Sequence, residues 1–116
     1  MNFSPQKAIF LQIAEKIENQ ILSGEYLEGG KILSVRELGV SLGVNPATVL
    51  RAYDELSVLG ILEQRRGVGY FVCTDATENI YSRKRNEFFA QKLPALLQEA
   101  SALGITFEEI KDYILK

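Results

Sequence analysis

At 116 residues with 47% apolar side chains, the chain can bury one core, with room beside it for a small appendage. It has no histidine and no tryptophan, and its residues show neither metal-ligand spacing nor a phosphate-cradling glycine loop, so nothing pairs a nucleophile with a base and an enzyme is not expected. A formal net charge of −2 speaks against a uniformly basic nucleic-acid binder and leaves any such role to where the charges point.

No run approaches about eighteen uninterrupted apolar residues, and the N-terminus lacks the basic-then-apolar order of a signal peptide. A cytoplasmic protein without a membrane partner is therefore expected. The single Cys73 cannot form an intrachain disulfide, which suits a reducing compartment, and it reads as a small strand residue rather than a redox sensor. Charge is unevenly spread. Residues 31–73 carry five basic side chains (Lys31, Arg36, Arg51, Arg65, Arg66) against four acidic ones (Glu37, Asp54, Glu55, Glu63), the only section with a positive balance.

Residues 1–5 read as a loose arm ending in a helix-start signal, Ser4-Pro5. From Lys7 to Leu22, Ile9, Ile13, Ile17 and Ile21 recur every four residues beside Phe10 and Ala14, which predicts an amphipathic helix with a broad buried stripe. Ser23-Gly24 stops it, and Glu25 to Gly30 reads as a loop. Ser34 with Glu37 forms a capping box for a second helix, Val35 to Leu42, whose Val35, Leu38 and Leu42 face the core. Gly39 inside so short a helix costs up to about 1 kcal/mol against alanine, which a close helix–helix approach there would explain. Gly43 closes the helix, and Asn45-Pro46 opens a third as N-cap and first helical residue.

The third helix, Pro46 to Leu59, buries Val49, Ala52, Tyr53, Leu56 and Leu59, and turns Ala47, Arg51 and Asp54 the other way, with Thr48 and Leu50 on the flanks. Two short helices joined by so tight a turn make a helix-turn-helix, whose second helix is the candidate reader of a DNA groove. Then the period changes. Ile61 to Arg65 and Tyr70 to Cys73 are short β-rich runs around Arg66-Gly67-Val68-Gly69, a hairpin with arginines at its tip. A helix-turn-helix followed by such a hairpin is the order of a winged helix.

From Asp75, with Glu78 as a capping box, a long helical stretch runs to about Leu103, with a kink expected at Pro94. Phe89, Leu93, Leu96, Ala100 and Leu103 recur at alternating steps of four and three, a spacing that suits a partner helix. Gly104 ends this helix. Thr106 with Glu109 caps a last one bearing Phe107, Ile110, Ile114 and Leu115. So apolar a helical hairpin must fold back on its own domain or pair with a second subunit. The expected fold is α+β and mostly α: a winged helix-turn-helix domain over 1–74 with a two-helix dimerisation tail over 75–116.

Leu22-Ser23-Gly24-Glu25, Leu33-Ser34-Val35-Arg36-Glu37-Leu38, Gly43-Val44-Asn45-Pro46-Ala47-Thr48-Val49, Gly60-Ile61-Leu62-Glu63 and Arg66-Gly67-Val68-Gly69-Tyr70-Phe71-Val72 together resemble the winged-helix domain of GntR-type bacterial transcription regulators. The resemblance covers about residues 8–73, and the short helical tail looks like that of the YtrA-type subfamily, whose tails mediate dimerisation. It implies DNA contact by Arg36 and by the start of the third helix at Asn45, Pro46, Ala47 and Thr48. Many relatives carry arginine where this chain has Pro46 and Leu50, proline at Leu33 and alanine at Gly39.

Beside the turn, Arg36 is placed to bind guanine O6 and N7 bidentately, with a solvated helix residue as its bland alternative. Ser34 belongs to the same contact region. Arg51 either meets DNA or forms an ion pair with Asp54 or Glu55. Thr48 offers a hydroxyl to a phosphate or only to solvent, and Leu50 either packs or touches a thymine methyl. Arg65, Arg66 and Gly67 read as wing contacts to the DNA backbone.

Together these readings give a homodimeric repressor on a two-fold symmetric operator, with half-sites about 10–10.5 bp apart or at a multiple of that. Its expected partners are double-stranded DNA and a second copy of itself. No cofactor or metal is expected, and no small-molecule effector is specified. The alternative is a winged-helix protein-interaction module without specific DNA binding.

Overall fold

A computed structural model describes residues 2–116, which fall into two compact units, the first ending at Tyr81 and the second spanning Ser82–Lys116. The first unit contains α1 (Ile9–Leu22), α2 (Val35–Leu42), α3 (Pro46–Val58), the strands β1 (Leu62–Arg65) and β2 (Gly69–Val72), and the opening turns of α4 (Ala76–Glu87). The second continues through a π-helical segment (Phe88–Lys92), α5 (Leu93–Ala102) and α6 (Phe107–Ile114).

α1 buries Ile13, Ala14, Ile17 and Ile21, the stripe that the four-residue recurrence of isoleucine predicts, while Ile9 at its start stays outside the core. It begins later than expected, at Ile9, because Ser4 does not cap it. Instead the Ser4 N–H donates to Gln12 Oε1 at 2.7 Å and Gln12 Nε2 donates back to the Ser4 carbonyl at 2.8 Å. With Phe3 packed against the core, the arm is tied down where the sequence suggested a loose one; Met1 lies outside the described residues.

Leu38 from α2 and Val49, Ala52, Tyr53 and Leu56 from α3 pack on that stripe, with Val35 and Leu42 half-buried at its margin. β1 and β2 pair antiparallel with Leu62 opposite Val72 and Arg65 opposite Gly69. The sequence did not announce a third participant. Residues 29–32 run along β2: Ile32 N–H donates to the Tyr70 carbonyl at 3.0 Å, Val72 N–H to Gly30 at 2.9 Å, and Lys31 pairs with Phe71. Only Ile32 there is a β-branched apolar residue, so no alternation marks the segment as extended.

The first two turns of α4 belong to the first unit. Ala76 and Ile80 are fully buried in its core, the Thr77 N–H donates to Glu28 Oε2 at 3.0 Å, and Asn79 Nδ2 donates to the Gly60 carbonyl at 2.9 Å. The unit boundary therefore falls inside α4, later than the expected break after Thr74.

In the second unit, the disturbance expected at Pro94 takes the form of a wider turn ahead of it. Proline has no N–H for the ordinary bond four residues back, and the Leu93 N–H reaches five residues back to the Phe88 carbonyl. Thr106 and Glu109 form the expected capping box, each backbone N–H bonded at 3.2 Å to the other's side chain. No residue of the π-helical segment, α5 or α6 is buried. Phe89, Leu96, Leu103 and Ile114 are exposed, while Leu93, Ala100 and Ile110 are half-buried. Phe107 and Leu115 are exposed too, and Leu97 and Tyr113 add apolar surface that the sequence reading did not include.

Candidate nucleic-acid interface

Ser34 and Glu37 set the start of α2. The Glu37 N–H donates to Ser34 Oγ at 3.1 Å and the Ser34 N–H to Glu37 Oε1 at 2.9 Å, completing the capping box. Hydrogen bonds from Ser34, the backbone one first, hold the Glu37 carboxyl below its ordinary range, with help from the nearby Lys31 charge. Arg36 is the second residue of this helix, exposed and without an ion pair among the described residues. A partly buried hydrogen bond anchors the approach to it. Tyr53, fully enclosed in α3, donates its hydroxyl to the Leu33 carbonyl at 2.7 Å, just ahead of the cap. Burial, then the Tyr26, Tyr70 and Glu37 fields, push the Tyr53 hydroxyl well above the ordinary tyrosine range.

The turn between α2 and α3 is tight for a visible reason. Gly43 has φ +66°, a left-handed conformation that glycine adopts without the Cβ penalty. A Cβ on Gly39 would meet the Val44 carbonyl oxygen at 2.9 Å, with Pro46 Cα at 3.6 Å. That contact accounts for a glycine inside a helix and draws the start of α3 against α2. Asn45 Oδ1 accepts from the Ala47 N–H at 2.8 Å, and Pro46 takes the first helical position. Pro46, Ala47 and Leu50 are exposed and Thr48 is half-buried.

Of the four arginines expected at DNA, two are already engaged. The Arg51 guanidinium lies 4.0 Å above the Phe10 ring of α1, a partner on another helix, and the alternative pair with Asp54 or Glu55 does not form. Arg65 grips Glu63 on its own strand with Nε at 3.0 Å and Nη2 at 2.9 Å, and lies 3.9 Å over Phe71. The alternation of a strand brings residues 63 and 65 to one face, so this pairing was legible in principle. Arg66 stands exposed at the hairpin tip without an ion pair among the described residues. Gly67 beside it has φ +78°, in a turn closed by the Val68 N–H on the Arg65 carbonyl at 2.9 Å.

The described residues hold no metal-binding group of three or more His, Cys, Asp or Glu side chains, and no helix among them is long and apolar enough to cross a membrane. The family model for bacterial regulatory proteins of the gntR family matches residues 10–72, from α1 through the wing. The chain belongs to the GntR family. GntR relatives of similar length match almost end to end. The uncharacterised HTH-type transcriptional regulator YhcF of Bacillus subtilis is 37% identical over 97% of this chain and 91% of its own. The HTH-type transcriptional repressor YtrA of the same organism is 32% identical over 91% of this chain and 81% of its own.

Among solved structures, a GntR-family regulator from Bacteroides thetaiotaomicron superposes with a TM-score of 0.81 at 36% identity, covering 93% of this chain and 94% of that one. AraR(DBD), solved in complex with operator ORR3, superposes with a TM-score of 0.54 at 33% identity over 55% of this chain and 77% of its own. As a GntR protein the chain is a DNA-binding winged-helix transcriptional regulator, not an enzyme, and its similarity to YtrA runs on into the tail.

Proposed function

We propose that the chain acts in the cytoplasm as a homodimeric repressor that binds a two-fold symmetric operator sequence-specifically. The observation that carries this reading is the packing of α2 against the start of α3 at Gly39. It draws the capped N-terminus of α3, with Pro46, Ala47 and Leu50 exposed, against the helix that carries Arg36, an exposed cation without an ion pair among the described residues, an arrangement that suits a major-groove reader. The partial positive charge of a helix N-terminus favours nearby phosphate, and Arg66 on the wing adds a second cation for the backbone. Ser34, Asn45, Pro46, Ala47, Thr48 and Gly67 complete the proposed surface, with Arg51 and Arg65 as arginines that must exchange partners to join it.

The homodimer rests on the tail. Its Phe89, Leu96, Leu103 and Ile114 are exposed, and apolar surface on this scale marks an interaction site. Leu93, Ala100 and Ile110 are the half-buried residues of the same expected interface. Two linked copies double the phosphate contacts that one weakly basic domain supplies. The repressor role is supported by the likeness to YtrA, a named repressor.

The test is an anisotropy titration with a two-fold symmetric promoter duplex, repeated with Arg36→Ala and across a range of salt. The reading expects sequence-selective binding that falls steeply with salt and is largely lost in the variant. Absent or salt-insensitive binding would instead favour a protein-interaction module.

A further inference from the structure

We propose that the outer face of α3 selects thymine by its 5-methyl group, with Ala47 and Leu50 as the contacting side chains. The inference deepens the operator-binding reading above and rests on it.

Leu50 is 42% exposed and stands apart from the apolar side chains that pack on the core, whereas its neighbour Val49, with Ala52, Tyr53 and Leu56, is completely enclosed. Residues three apart on a helix lie side by side, so the Ala47 methyl and the Leu50 side chain form one apolar strip over the first two turns. Of the polar groups nearby, two have partners within the chain, and the Thr48 side chain is half-buried. Asn45 Oδ1 caps the helix and the Arg51 guanidinium rests on Phe10. Asp54, next along the same side, carries a charge that a phosphate backbone repels, which confines close approach to the N-terminal turns. Apart from the engaged Arg51, the exposed side chains of these turns, Pro46, Ala47 and Leu50, are hydrocarbon, with Thr48 half-buried beside them.

In the major groove, thymine alone among the four bases presents a methyl group, and an apolar side chain is the natural partner for it. A second protein is a poorer fit as the occupant. The strip begins at a capped helix N-terminus and shares its region of the fold with Arg36 on α2, a cation without an ion pair among the described residues, so its surroundings complement a polyanion. The half-site then combines thymines opposite α3 with a guanine opposite Arg36.

The test begins with selection of the best-bound duplex from a random library by the full chain. Each thymine of one half-site is then replaced by deoxyuridine, which removes the methyl group and leaves the hydrogen-bonding edge intact. At one or two positions the replacement should weaken wild-type binding about four-fold, the effect of burying one methyl-sized piece of hydrocarbon. The Leu50→Ala protein, with an exposed helix-compatible substitution, should lose that sensitivity at the position Leu50 reads. Deoxyuridine that costs less than about two-fold at every position, or as much in Leu50→Ala as in wild type, overturns the methyl-readout inference while operator binding stands. Failure to enrich any sequence overturns the operator reading itself and this inference with it.

Discussion

Replacing Tyr53 with phenylalanine removes one oxygen from the middle of the first unit and nothing else. The ring keeps its volume and its edge-on contact with Tyr70, 4.8 Å between centroids at 70°, so no cavity term arises. What is lost is the hydrogen bond to the Leu33 carbonyl at 2.7 Å. A buried acceptor left alone costs about 1–3 kcal/mol, and this bond is only partly buried, so the net loss should be about 1 kcal/mol. For a unit of this size that lowers Tm by about 4–8 °C, readable by far-UV circular dichroism with urea unfolding as a cross-check.

Tyr53 also makes a distinct pH signature. Its folded pKa is raised, by burial first and by Tyr26, Tyr70 and Glu37 after it, so the folded chain holds the proton more tightly than the unfolded one. Its contribution is fully present below about pH 10 and is lost as pH rises, by about 1 kcal/mol between pH 10 and 11. Tyr26 and Tyr70 are raised as well and remain in the variant. The stability gap between wild type and Tyr53→Phe should therefore close near about pH 11. Equal melting at neutral pH, or a gap that widens above about pH 10, would refute the reasoning.

Glu63→Gln should release Arg65 from its pair and strengthen DNA binding about two- to five-fold, with the salt slope steeper by about one; an unchanged slope would mean Arg65 stays off the phosphates. Asn45→Ala removes the cap of α3 and should cost about 1 kcal/mol in urea unfolding. A chain cut after Tyr81 should fold and sediment as a monomer, whereas a cut after Thr74 discards the buried Ala76 and Ile80 and should unfold more easily by about 2–5 kcal/mol, the order of one large-to-small core loss at Ile80. A persistent dimer of the longer truncation would place the interface outside the tail.

Most of the element order was legible because it is written in local chemistry. A serine three residues before a glutamate, an Asn-Pro pair and a glycine after a helix act over single turns, so α2 and its boundaries, the turn and the start of α3 follow from neighbouring residues alone. The isoleucine stripe of α1 and the change of period at the wing are legible for the same reason. The candidate site was only half legible as a set of free side chains. Arg36 and Arg66 were found as exposed cations, but the engagement of Arg51 by Phe10 was hidden, since the two lie on different helices.

What the sequence determined by itself was therefore the three helices and the wing, the caps of α2, α3 and α6, and a candidate set of residues to meet DNA. What only the tertiary structure decided was which of those residues stay available, why Gly39 must be small, that residues 29–32 join the sheet, and that the unit boundary falls inside α4. Apart from Gly39, whose neighbours Val44 and Pro46 are close in the chain, those outcomes depend on contacts between residues far apart, such as Glu28 with Thr77 or Gly60 with Asn79, and such contacts leave no periodic mark in the sequence.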